Sequence, residues 1–141
     1  MIVAIGAYGN KLYSGHVRVF SYTLSTNTWD LLGLPIVGAA EGDWFGESVS
    51  LSSNGMIVAI EAEYNNDNGS DSGYVRVFSY TLSTNTWDLL GSPIVGASTG
   101  YNFGASVSLS SNGMIVAIRY TGNDDNGSSG HTRVFPPAIL F

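Results

Sequence analysis

Residues 48–60 read SVSLSSNGMIVAI, and residues 106–118 repeat the same letters 58 positions later. Val49-Ser50-Leu51-Ser52 alternates apolar and polar, Ser53-Asn54-Gly55 breaks the pattern, and Met56 to Ile60 is apolar throughout. Alternation with period two is the signature of a strand with one covered face, and an unbroken short apolar run suits a strand covered on both faces. Asn-Gly between two such runs predicts a hairpin with a type I′ turn, in which both central residues have positive φ. The serines of this stretch are expected on the outward face of the first strand.

Outward from this hairpin the repeat continues. Residues 17–39 and 75–97 differ only in Leu34 against Ser92, again at an offset of 58, and Thr132-Arg133-Val134-Phe135 echoes Val75-Arg76-Val77-Phe78. Tyr74 to Tyr80 predicts a third strand, with Val75 and Val77 on one side and Arg76, Phe78 and Tyr80 on the other. After a polar turn at Leu82 to Thr86, Trp87 to Gly91 predicts a fourth, outer strand. No stretch has helical periodicity.

Four antiparallel strands recurring at this interval are the arithmetic of a β-propeller blade, whose faces are covered by neighbouring blades. The expected fold is therefore all-β, with about ten strands forming roughly two and a half blades. The divisions are a partial first blade over 1–40 that lacks its first strand, a complete second blade over 41–98, a partial third over 99–135 and a diverged tail over 136–141. Met1 to Ile5 matches Met56 to Ile60 and Met114 to Ile118, so the chain begins in mid-unit and reads as a piece of a longer array. A piece of this size is expected to pair with neighbouring blades or to self-associate.

Composition narrows the partners. Eleven acidic against five basic side chains give a net charge of −6, with Lys11 the only lysine, which argues against nucleic acid. With no cysteine there is neither a disulfide nor a thiolate metal site. Met1 to Ala7 lacks the basic start of a signal peptide, and no apolar run approaches the ~18 residues of a membrane helix, so membrane insertion is not expected.

Phe45-Gly46 and Phe103-Gly104 stand before short strands, Gly6-Ala7 follows an inner strand, and Gly15-His16-Val17-Arg18-Val19-Phe20 and Gly73-Tyr74-Val75-Arg76-Val77-Phe78 come next. In that order these motifs resemble the FG-GAP repeat, the blade unit of integrin α-subunit propellers and related surface proteins. The resemblance implies an extracellular or cell-surface module that binds a protein or glycan, as in adhesion, without catalysis. The alternatives are blades of a propeller enzyme whose site lies outside this chain, or a purely structural repeat element. Family members often carry an Asp-x-Asp-x-Asp-Gly calcium loop between the first two strands, where this chain has only the tight Ser-Ser-Asn-Gly turn.

Candidate site residues fall into three groups. Asn65, Asp67 and Asp71, with Asp124 and Asp125, are oxygen ligands of the kind calcium takes, but they lack the alternating spacing that turns successive carboxylates inward. Solvated loops are the expectation there, with calcium the one cofactor those loops would suit. Asn68 and Asn126 head glycosylation sequons at corresponding places in the repeat. Trp44, beside Glu41 and Asp43, has no aromatic counterpart in the next unit and is the candidate ligand contact. Those two carboxylates and Glu47 form a local acidic group, while Trp29 and Trp87 are expected to pack blade against blade. His16, Tyr74 and His131 share one repeat position and read as packing residues rather than catalytic ones.

Overall fold

The computed structural model describes residues 1–10, 12–64, 72–96, 103–121 and 130–136. All twelve elements among them are strands, arranged in three antiparallel sheets that follow one another along the chain. The first sheet holds β1 (Ile2–Gly6), β2 (His16–Thr23) and β3 (Thr28–Leu31) in that order, with β4 (Ile36–Val37) also pairing β2. The second runs β5 (Val49–Leu51), β6 (Ile57–Ala62), β7 (Tyr74–Thr81) and β8 (Thr86–Leu89), with β9 (Ile94–Val95) on β7. The third has β10 (Phe103–Leu109), β11 (Val116–Thr121) and β12 (Gly130–Phe135). Each sheet is a blade. The first starts at the counterpart of β6, and the third has no outer strand among the described residues.

The apolar core lies between the blades. Cross-strand pairs share a face, and the register Val58↔Phe78, Ile60↔Arg76 and Ala62↔Tyr74 sends one face of the middle blade toward the first. There Val58, Ile60, Ala62, Tyr74 and Phe78 pack with Val17, Val19, Ile36 and Phe45. The opposite face, with Ala59, Val75 and Val77, packs on Val107, Val116, Ile118 and Phe135 of the third blade. β6 is consequently covered on both sides, whereas β1, its counterpart in the first blade, leaves Ile5 56% exposed.

Several local features differ from expectation. The outer strand ends at Leu89, not Gly91, and the chain then returns to β7 as the two-residue β9, with Pro93 before it. The same happens at β4, and these short returns raise the strand count above ten. The hairpin turn is not type I′. Gly55 has φ 72 but Asn54 does not have positive φ, and the Gly55 amide donates to the Ser52 carbonyl at 2.9 Å. Asn54 contributes through its side chain instead, with Oδ1 accepting from the Met56 amide (3.0 Å) and the Ser52 hydroxyl (2.8 Å). Ser110, Asn112 and Met114 reproduce this network in the third blade.

Nor do the strand serines simply face outward. Ser48 Oγ accepts from the Val107 amide at 3.0 Å and Ser50 Oγ from the Leu109 amide at 2.9 Å, so β5 is joined to β10 of the next blade. Gly6 explains another seam. A Cβ there would stand 1.8 Å from the Gly46 carbonyl oxygen, so the close meeting of the Phe-Gly and Gly-Ala segments admits no side chain.

Trp87 closes the outer rim of the first seam. Its indole N–H donates to the Leu32 carbonyl at 2.8 Å, and its ring covers Gly33, while Asn85 Oδ1 accepts from the Gly33 amide at 3.1 Å. The second seam has no such plug among the described residues. A groove of about 350 Å³ lies there, lined in part by the matching Leu90 and Gly91 together with Met114 and Phe135. Trp29, the counterpart of Trp87, tilts against Tyr22 of its own blade, at 5.2 Å between centroids, and is 45% exposed.

Candidate functional site

Trp44 stands at the centre of an aromatic cluster where the first and second blades meet. Tyr8 and Tyr13 each stack on it at 5.4 Å between centroids, with interplanar angles of 21° and 19°, and Tyr64 tilts against it at 4.8 Å. Tyr8 comes from just after β1, Tyr13 from the turn before β2, Trp44 from the approach to β5 and Tyr64 from just after β6. Such pairings contribute about 0.5–1.5 kcal/mol each beyond area burial. The cluster nevertheless remains open to solvent, with Tyr8 41%, Tyr13 51% and the adjoining Leu12 70% exposed.

The backbone that builds the cluster is strained. Leu12, Tyr13 and Trp44 have φ values of 56°, 64° and 57°. The other two non-glycine residues with positive φ among those described are Asn27 and Asn85, a residue type that tolerates the left-handed region. For Leu, Tyr and Trp the conformation costs on the order of 1–3 kcal/mol per residue. It is held by the Trp44 amide donating to the Tyr13 carbonyl at 2.8 Å and the Gly42 amide to the Leu12 carbonyl at 3.2 Å.

The two acidic neighbours of Trp44 go different ways. Asp43 is only 3% exposed, and its Oδ2 accepts from the Ala40 amide at 3.0 Å and from the Tyr74 hydroxyl at 3.4 Å. Its carboxylate thus fastens the 40–43 turn to the middle blade. Burial pushes the Tyr74 hydroxyl well above its ordinary range; Arg76, whose guanidinium lies 4.5 Å from the Tyr74 ring centroid, opposes the shift, and Asp43 reinforces it. Glu41 and Glu47 are exposed. Among the described residues no three His, Asp or Glu side chains converge as a metal site. The candidate ligands Asn65, Asp67, Asp71, Asp124 and Asp125 and the sequon residues Asn68 and Asn126 lie outside the described residues. At the shared position, Tyr74 is fully buried and His131 stacks on Tyr120 at 5.2 Å.

Glu61 is a buried acid that sequence reading did not single out. It occupies the repeat position of Gly6 and is 1% exposed. Oε1 accepts from the Ser48 amide at 2.8 Å, while Oε2 has no hydrogen-bond partner. Desolvation pushes its carboxyl up to about 8, with the Ser48 hydrogen bond opposing and the nearby charges of Glu47 and Glu63 adding to the rise. The signal was the replacement of a tightly packed glycine by an acid within an otherwise apolar strand.

Among the described residues no helix is long and apolar enough to cross a membrane. Comparison with curated proteins finds none that matches. Residues 37–78 match the family model described as the FG-GAP repeat. That segment spans Phe45-Gly46, the hairpin of β5 and β6, and β7 as far as Phe78, and the copies on either side repeat much of it. Residues 37–78 are thus similar to the FG-GAP repeat, and the repeat unit of the chain is a propeller-type blade.

Proposed function

We propose that the chain is a non-catalytic recognition module of a surface or secreted protein, and that it engages a protein or glycan ligand through the Tyr8–Tyr13–Trp44–Tyr64 cluster, as in adhesion. The observation that carries this reading is the coincidence of strain and exposure: Leu12, Tyr13 and Trp44 are in left-handed backbone at the place where aromatic rings are left facing solvent. Strain of this kind gathers at ligand-binding sites, where the surrounding structure enforces it. Flat aromatic faces with phenolic hydroxyls at their rims take the C–H face of a pyranose, a proline ring or an aliphatic side chain, and supply polar contacts beside it.

The experiment is a printed glycan array and a displayed random-peptide library, each probed with the labelled chain and with Trp44→Ala and Tyr13→Ala. Binders retained by the wild type and lost by both variants are the expected result. If every binder survives both substitutions, or if neither collection yields one, the cluster is not a recognition site.

A further inference from the structure

Both faces of the middle blade are covered, but each end blade has one face that none of the other described elements covers. On the first blade this face carries Val3↔Phe20 and Ile5↔Arg18, and Val3, Ile5, Phe20 and Trp29 line an apolar groove of about 260 Å³. On the third it carries Ala117↔Val134 and Arg119↔Thr132, with Ile115 46% and Val134 63% exposed.

These two surfaces are the halves of a seam that the chain already builds twice. Val3, Ile5 and Phe20 correspond in the repeat to Val58, Ile60 and Phe78, the residues that the middle blade buries against the first. Ile115, Ala117 and Val134 correspond to Ile57, Ala59 and Val77; of these, Ala59 and Val77 pack against the third blade. A second molecule therefore supplies the other half of the β6–β7 part of such a seam, although the contributions of β5 and of the outer strand have no counterpart on these two faces.

We propose that two copies of this chain associate head to tail, with the Val3–Ile5–Phe20 face of each against the Ile115–Ala117–Val134 face of the other. Head-to-tail contacts form a ring when the rotation closes. Closed propellers have four to eight blades, so two three-bladed chains lie within that range and three do not. The assembly is a six-bladed ring made of two chains.

Light scattering across a dilution series into the micromolar range tests this, with the expected mass twice the 14.9 kDa of the chain. Ile5→Glu and Val134→Glu each place a charge in both seams of a homodimer, so each variant alone is expected at the monomer mass. Mixed in equal amounts they regain the dimer, because one of the two seams then joins unaltered faces. Both positions are exposed, and far-UV circular dichroism checks that the variants keep their strands. Because the chain has no cysteine, a double variant with Ile5→Cys and Val134→Cys gives an independent reading: mild oxidation yields a covalent dimer. A monomeric wild type, a dimer that survives either single substitution, a mixture that stays monomeric, or a ladder of larger species overturns the proposal.

Discussion

Replacing Glu61 by Gln tests the physics of the second seam. The wild-type carboxyl is held at about 8 when folded, against an ordinary value of 4.5. Between those values the folded chain keeps a proton that the unfolded chain has released. Stability from this group is fully present below about pH 4.5 and is lost as pH rises through 8. At about 1.4 kcal/mol per pH unit the loss amounts to about 4–5 kcal/mol across the window, a large share of a small domain's stability. Glu61→Gln keeps the shape and a carbonyl oxygen for the Ser48 amide but removes the ionisation. Urea unfolding followed by tryptophan fluorescence at intervals from pH 4.5 to 9 is the assay. The variant should lie within about 1 kcal/mol of wild type at the acid end and exceed it by about 3–4 kcal/mol at the alkaline end. The two proteins differ at this one side chain, so the difference between their profiles reports the ionisation of Glu61. Parallel profiles would refute the reasoning, since they would mean that the carboxyl reaches water.

The remaining predictions concern repeat positions whose surroundings differ. Trp87→Ala should cost about 2–4 kcal/mol, because it opens the first seam and leaves the Leu32 carbonyl without its indole donor, whereas Trp29→Ala should cost less than about 1 kcal/mol in dilute solution; paired denaturant titrations measure both. Gly6→Ala drives a methyl into the Gly46 carbonyl and should destabilise by about 2 kcal/mol or more, while at Gly9 the nearest atom to an added Cβ is 3.9 Å away and Ala should be tolerated, a contrast that thermal unfolding resolves. Trp44→Gly relieves about 1–3 kcal/mol of left-handed strain and gives up stacking of similar size, so the melting temperature should change little even as ligand binding is lost.

Blade architecture was legible in the sequence because it is written in period two: Val75, Val77 and Phe78 take the sides their spacing assigns, and MIVAI is covered on both faces only where two neighbours exist. The short strand Ile94–Val95 was not legible, since two residues have no period. Asn54-Gly55 marked a turn correctly but not its type, because asparagine can serve such a turn through its side chain as well as its backbone. Trp44 stood out through the contrast with Asn102 in the next unit. Tyr8, Tyr13 and Tyr64 did not, because they reach Trp44 by way of backbone conformations that nothing in the letters Leu-Tyr or Asp-Trp announces. A hint lay in the first loop, which is aromatic where its counterparts are rich in Asn and Asp. Asp43 was read as a neighbour of Trp44, whereas its burial depends on Tyr74, 31 residues away.

The serine hydroxyls that reach from β5 to the backbone of β10 bear on how such an array changes over generations. Ser48 and Ser50 recur as Ser106 and Ser108, so both units that hold this strand carry the same connectors, which in the middle blade meet its successor. A unit gained or lost by unequal recombination arrives with both joining surfaces intact and fits without compensating mutations. Selection on the joints is thereby relaxed for the number of units and tight for their sequence. Individual character accumulates most freely where side chains reach solvent, as at Tyr13.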